Sequence, residues 1–226
     1  MATFFMATQE LPIQAFLDYV RFEKRYSQHT ITSYQNDLEQ FFSFLKNFDS
    51  PPVTAITAAY VRSWLAGLKG EEHLTAKTIN RKISTLKSFF KYQQKLGVIS
   101  VNPMTTVSAP KISRKLPQFV KEDDMQTLFN YVEFPDDWAG RTNRLILLML
   151  YSTGMRLSEL IGLRETQLDE YNQQVKVLGK GNKERVIPVS SELMQEVKAY
   201  VAAKPAGSGT QVFVTASGKP LYPKLV

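Results

Sequence analysis

The chain contains no cysteine, and that absence removes several chemistries at once. A disulfide scaffold, a thiolate metal site, a cysteine nucleophile and a CxxC redox pair are all excluded. Histidine is nearly as scarce, with only His29 and His73 in 226 residues. Both lie far from the motifs of the second half, which argues against a histidine metal cluster or a Ser-His-Asp triad. No apolar run approaches the ~20 residues a membrane helix needs. Met1 to Ile13 carries neither a basic n-region nor a long apolar h-region, so no export signal is expected and the reading is a soluble, cytoplasmic protein. The spacings GxxxxGK[ST] and GxGxxG are missing, so neither a P-loop nor a dinucleotide fold is expected.

Acidic residues are missing where they would matter most. Residues 1–115 carry 15 Lys+Arg against 8 Asp+Glu, whereas residues 116–226 carry 13 of each, so the whole net charge of +7 sits in the first half. From His73 to Lys121 there are ten basic residues and no acid: Lys77, Arg81, Lys82, Lys87, Lys91, Lys95, Lys111, Arg114, Lys115 and Lys121. A merely solvated face usually intersperses glutamate, so this segment is read as a polyanion footprint.

What is present organises into a mainly α chain with a small β-sheet. Residues 9–101 read as a helical domain, 102–117 as a linker and 118–226 as a second domain. Ile13, Phe16, Leu17 and Val20 repeat at helical spacing, and Ile31, Tyr34, Leu38, Phe41, Phe42 and Leu45 form a longer stripe after a polar break at Ser27 to Thr30. Thr57 can cap a third helix burying Val61, Trp64, Leu65 and Leu68. Thr75 or Lys77 opens a fourth that runs to about Leu96, with Gly97 as its stop. Taking Ile79 as zero, Ile83, Leu86 and Phe90 fall within about 40°, whereas Lys77, Arg81, Ser84, Ser88, Lys91 and Lys95 fall between about 120° and 200°. One face is core, and the opposite face pairs cations with small hydroxyls that let a phosphate backbone approach.

Asn102 to Pro117 reads as an extended, basic linker with three prolines, Pro103, Pro110 and Pro117 itself. Lys121-Glu122-Asp123-Asp124 then starts a helix carrying Met125, Leu128, Phe129 and Val132. Leu145 to Tyr151 is a nearly all-apolar helix, expected to be buried on most sides and to end at Gly154; a short helix, Leu157 to Leu163, follows. Val175, Val177, Val186, Ile187 and Val189 form two β-branched runs around Gly179-Lys180-Gly181-Asn182-Lys183, a hairpin with a basic tip. Ser190 or Ser191 caps a helix through Met194, Val197 and Val201, and Val212-Phe213-Val214 reads as another strand.

Two constellations could carry chemistry. Arg156 follows a buried helix that has just turned at Gly154, and a guanidinium there could clamp a phosphate through paired hydrogen bonds. Pairing with Glu159 as a surface (i,i+3) salt bridge fits the spacing equally well. Lys180, between two glycines, could project toward a leaving group with Lys183 and Arg185 behind it, or be an ordinary solvated turn lysine.

Taken together, Thr153-Gly154-Met155-Arg156-Leu157-Ser158-Glu159-Leu160 and Gly179-Lys180-Gly181-Asn182-Lys183-Glu184-Arg185, ending in Pro188, resemble the tyrosine recombinase family in its Xer-type branch. Thr30-xxx-Tyr34-xxx-Leu38 and the closing Asn102-Pro103 resemble that family's helical, SAM-like core-binding domain. The resemblance implies a two-domain clamp on double-stranded DNA and strand cleavage and rejoining through a 3′-phosphotyrosine, with no metal or other cofactor. It implies that Arg156 neutralises the scissile phosphate, that Lys180 assists the 5′-hydroxyl leaving group, and that Glu159 supports them. Thr30, Tyr34, Lys77, Arg81, Ser84, Ser88, Lys91, Lys95, Lys183 and Arg185 become DNA contacts, and the complete enzyme a homo- or hetero-tetramer on two DNA sites.

The sequence departs from the family after the hairpin. No histidine follows His73 and no arginine follows Arg185, so the family's His-x-x-Arg pair is missing; Tyr200 and Tyr222 lack the neighbours of its nucleophile. The chain stops at Val226 where a helix is about to begin, so a truncated product is expected, inactive by itself, with apolar surface on Leu145 to Tyr151 uncovered. A non-catalytic, sequence-specific DNA-binding protein on the same fold is the alternative. A basic module that binds RNA or acidic partners nonspecifically is a third reading.

Overall fold

The computed structural model describes residues 12–70, 73–112, 116, 119–179 and 183–226. It divides into two compact units, Met1–Leu116 and Pro117–Val226.

The first unit is helical. Residues 12–18 (α1) continue into a π-helical turn, Tyr19–Glu23, and are followed by α2 (Gln28–Leu45), α3 (Ala58–Gly70) and α4 (Ala76–Lys95). Each start has a local cause. Ser27 and Thr75 are the N-caps of α2 and α4, their hydroxyls accepting the amide protons of Thr30 and Thr78 at 3.3 Å. Thr30 therefore sits inside the first turn of α2, so the helix begins within the stretch read as a polar break. At the far end of α4, Gly97 takes φ +73°, and its N–H and that of Val98 return to Gln94 and Gln93.

The stripes read from the sequence meet in one core. Leu38, Phe41, Leu45, Val61, Leu86, Phe89 and Phe90 are fully buried, and Phe41 packs its ring 5.1 Å from Trp64. Tyr34 and Leu65 lie at its edge. The segment expected to begin an extended linker joins this core instead. Asn102 accepts the Met104 N–H through its side chain and caps a 3-10 turn, Pro103–Thr106, and Met104 and Val107 are buried against the helices. Prolines that break regular helices still allow such a turn, and apolar Met104 and Val107 reward docking it.

The second unit comprises α5 (Glu122–Tyr131), α6 (Trp138–Thr153), α7 (Leu157–Ile161), the antiparallel sheet β1 (Leu168–Asp169), β2 (Gln174–Leu178) and β3 (Glu184–Pro188), and α8 (Ser191–Ala202). The acids Glu122, Asp123 and Asp124 occupy the first turn of α5 as expected, but none of its residues is fully buried and Val132 is its exposed C-cap. Asp137 caps α6 by accepting the Gly140 N–H at 2.7 Å. Gly140 is required: a Cβ there would lie 2.0 Å from the Pro135 carbonyl oxygen. Gly154 closes α6 in the left-handed region at φ +58°. The core of this unit gathers Leu145, Ile146, Met149, Leu160, Val175, Val177, Val197 and Phe213.

Three expectations change here. α6 is buried along one side rather than most, with Leu147 and Tyr151 exposed: α7 and α8 pack against it, and Trp138 at its start reaches the Val214 carbonyl. The helix after Gly154 ends at Ile161, two residues early. Val212-Phe213-Val214 is not a strand. All three are buried on both sides, the Val212 N–H reaches the Leu163 carbonyl, and the Val214 carbonyl accepts from the Trp138 indole at 2.9 Å and the Tyr200 hydroxyl at 3.3 Å. Val214 makes one isolated antiparallel bridge, to Pro220, and no continuous ladder forms.

Candidate functional site

On α4 the helical wheel translates into a surface. Lys77, Arg81, Ser84, Lys91 and Lys95 are exposed, opposite buried Ile79, Ile83, Leu86 and Phe90, and Ser88 lies at the margin. The Ser84 and Ser88 hydroxyls donate to the carbonyls of Asn80 and Ser84, keeping acceptor lone pairs outward. From α2, Tyr34 stacks on Phe16, and its hydroxyl lies 3.3 Å from Ser88 Oγ, joining two of the residues singled out in the sequence. Thr30 is bonded to Ser27. A groove of about 530 Å³ at the C-terminal end of this face is lined by Phe16, Tyr19, Tyr26, Ser88, Lys91 and Lys95. Lys95 lies over the Tyr19 ring at 4.9 Å. Tyr19 and Tyr26 escaped the sequence reading because they lie at a π-turn and beside a left-handed Arg25 (φ +52°), off any regular period.

Lys82 leaves the surface footprint. It is buried, its ammonium 3.0 Å from Asp37 Oδ1, bonded to Gln40 Oε1 and 5.6 Å from the centre of Trp64. Its position, about 60° from Ile79 on the wheel, places it beside the apolar stripe rather than opposite it.

In the second unit the sequence brings Arg156, Glu159 and Arg185 together. Arg156 is the N-cap of α7 and Glu159 its third residue, so the carboxylate reaches back to the Arg156 N–H at 2.7 Å. Arg185 pairs with Val177 in the hairpin ladder and lies on the inward side of β3, while Val186 points to solvent. Its two terminal nitrogens grip Glu159 at 2.7 and 2.8 Å. Arg156 Nη1 adds a third bond at 2.8 Å. Glu159 is 3% exposed whereas Arg156 is 61% exposed, so a buried anion holds an open cation. The hydrogen bonds from Arg185, against the cost of burial and with those from Arg156, hold the Glu159 carboxyl down at about 2. The salt-bridge reading of Arg156 is thus realised, and it leaves most of the guanidinium available to an anion.

The hairpin tip closes through the Gly179 N–H to the Lys183 carbonyl at 2.8 Å, with Lys183 exposed. Lys180 lies outside the described residues. Gly179 packs against the ion cluster, since a Cβ there would lie 3.4 Å from an Arg185 nitrogen and 3.5 Å from Glu159 Oε1. Tyr200 is buried with its hydroxyl 2.9 Å from Thr142 Oγ1, and burial raises its pKa, the opposite of nucleophile activation. Tyr222 is exposed in a turn-rich segment. Among the described residues no cluster of three or more acidic or imidazole side chains could hold a metal, and no helix is long and apolar enough to cross a membrane.

Known proteins resemble this chain in sequence and fold. Residues 13–95 match the "Phage integrase, N-terminal SAM-like domain" and residues 118–226 the "Phage integrase family". The chain is 37% identical over 201 residues to tyrosine recombinase XerC of Thermodesulfovibrio yellowstonii, covering 88% of this chain and 64% of that one. It is 40% identical over 190 residues to tyrosine recombinase XerC of Staphylococcus saprophyticus, covering 84% and 63%. The chain therefore spans a little under two thirds of the curated relatives it matches. In fold it resembles the Tn1549 transposon integrase solved with transposon right end DNA, with TM-score 0.70, 19% identity, and coverage of 93% of this chain and 73% of that one. A lambda integrase dimer bound to a COC' core site aligns with TM-score 0.66 and 19% identity, over 92% and 75%.

Proposed function

Because the chain belongs to the phage integrase family, the tyrosine recombinases, we propose that it binds double-stranded DNA and carries part of the active site of a cytoplasmic, site-specific recombinase. The α4 face, with Lys77, Arg81, Ser84, Ser88, Lys91 and Lys95, and Thr30 and Tyr34 from α2, meets the duplex backbone. Arg156 meets the non-bridging oxygens of the scissile phosphate and offsets the charge that grows there as a tyrosine attacks phosphorus. The bond to the 5′-oxygen breaks, and Lys180 supplies the proton for that oxygen. The 3′-phosphotyrosine conserves the phosphodiester for rejoining, so no cofactor is required. Glu159 and Arg185 hold Arg156, and Lys183 adds positive field at the hairpin.

Within these 226 residues no histidine follows His73 and no arginine follows Arg185. The His-x-x-Arg pair is not among them and Tyr200 is locked in the core, so these residues alone bind without cutting. Assembly as a tetramer on two sites belongs to the complete reaction.

The observation that carries this reading is Arg156, open to an anion yet fixed by a buried carboxylate. The test is to select bound duplexes from a random pool and replace their phosphates one at a time by neutral methylphosphonates. One replacement should weaken the unaltered chain but leave Arg156→Ala no weaker. Failure to enrich any duplex, or binding of unrelated RNA just as tightly, overturns the proposal.

A further inference from the structure

The helical unit contains a carboxylate whose burial stability alone does not explain. Asp37, on α2, is 1% exposed, and three donors from α4 converge on it. Lys82 donates to Oδ1 at 3.0 Å, Thr85 to Oδ2 at 2.8 Å, and Arg81 Nη1 to Oδ2. Buried ion pairs of this kind contribute little net stability compared with apolar side chains of the same volume, because both ions lose hydration. Lys82 already neutralises Asp37 from within the core, and Thr85 adds a neutral bond.

The third donor differs from the other two. Arg81 is 45% exposed and lies in the middle of the cation and hydroxyl row of α4. One of its terminal nitrogens is tied inward to Asp37 and to Ser33 Oγ. Its remaining donors have no protein partner among the described residues. An exposed arginine otherwise loses substantial rotamer entropy when it meets a phosphate. Here that entropy is already lost in the free protein. One carboxylate shared between two cations also leaves the cluster a net positive charge, so anchoring does not cancel the attraction to an anion.

We infer that Asp37 is a positioning residue for nucleic-acid binding: from inside the helical unit it aims Arg81 at a phosphate of the duplex backbone. The inference rests on the proposed DNA-binding role of the α4 face. It implies that Arg81 contributes more to affinity than Lys77 or Lys91, whose ammonium groups have no such anchor among the described residues.

The test is a double-mutant cycle on duplex binding, with the salt dependence measured for each variant. Arg81→Ala should weaken binding roughly tenfold and lower the salt slope by about one. The paired change Asp37→Asn with Lys82→Met removes one charge of each sign and leaves no buried ion unpaired. It should weaken binding by a similar factor although Arg81 and the net charge are unchanged, and it should add almost nothing on top of Arg81→Ala. Full affinity in the paired variant, or losses that simply add, would show that Asp37 only fixes helix register and would overturn the inference. If Arg81→Ala itself has no effect, the α4 face is not the DNA surface, and the inference fails with that reading. Should the paired variant not fold, ¹⁵N relaxation of the Arg81 Nε–H in the unaltered free chain decides. Backbone-like rigidity is expected, and motion like that of an untethered arginine overturns the inference.

Discussion

Arg156 and Arg185 meet on one oxygen: Nη1 of each donates to Glu159 Oε1, at 2.8 and 2.7 Å. One residue begins a short helix and the other lies in a hairpin strand 29 positions later in the sequence. Removing the charge they share should therefore affect both elements. Glu159→Gln is expected to destabilise the second unit by about 2 to 3 kcal/mol, since two guanidiniums lose their common anion. The midpoint of urea unfolding should fall with no change in slope, and an unshifted midpoint contradicts the shared role.

The same carboxylate gives the stability a defined pH dependence. Glu159 has its pKa lowered from 4.5 to about 2 in the folded chain. Its stabilisation is complete above about pH 5 and is lost as pH falls toward 2, because the unfolded chain takes up the proton first. The contribution at neutral pH is on the order of 2 to 3 kcal/mol. Unfolding midpoints measured from pH 6 down to pH 3 should converge for the unaltered chain and Glu159→Gln; parallel curves would refute this origin.

Cations on the α4 face should not be equivalent. Lys77→Ala and Lys91→Ala are each expected to reduce the salt slope of duplex binding by about one. Lys95 lies over Tyr19 at 4.9 Å, so Lys95→Ala should also disturb the ring beneath it and lower the melting temperature slightly. Equal melting temperatures for all three variants would count against that distinction.

Gly140→Ala is expected to be among the most damaging single-atom changes in the chain. The new methyl would fall 2.0 Å from the Pro135 carbonyl oxygen, a backbone atom that can move only with the loop leading into α6. A loss of about 2 to 4 kcal/mol follows, even though alanine is the better helix former. A melting temperature equal to that of the unaltered chain refutes the clash.

Phe89→Ala should cost about 3 to 5 kcal/mol, since Phe89 is fully buried and its ring packs edge-on against Phe16 and Phe42. Unfolding of the first unit, followed by Trp64 fluorescence, is the measurement; a loss under 1 kcal/mol would mean the site collapses around the missing ring.

Much of this was determined locally and was therefore legible in the sequence. The α4 stripe, its Thr75 cap and Gly97 stop, the left-handed turn at Gly154 and the hairpin from Val175 to Ile187 each depend on a few neighbouring residues and on periods of 3.6 or 2. The motifs around Arg156 and Lys180 carried the family for the same reason. What the tertiary structure decided is where charge is buried and what it touches. Lys82 and Arg81 are adjacent in the sequence, yet both reach Asp37, 45 and 44 positions away, one from within the core and the other from the surface. Whether Arg156 was a free clamp or a paired ion was undecided by spacing; the answer came from Glu159 of α7, gripped by Arg185 of β3 and in turn holding Arg156. Val212 to Val214 reads as a strand by composition but is buried on both sides, with its carbonyl taken by Trp138 and Tyr200. Local periodicity specifies helices and turns because their hydrogen bonds close within a few residues, whereas a buried ion or a buried loop is satisfied by partners that only folding brings within reach.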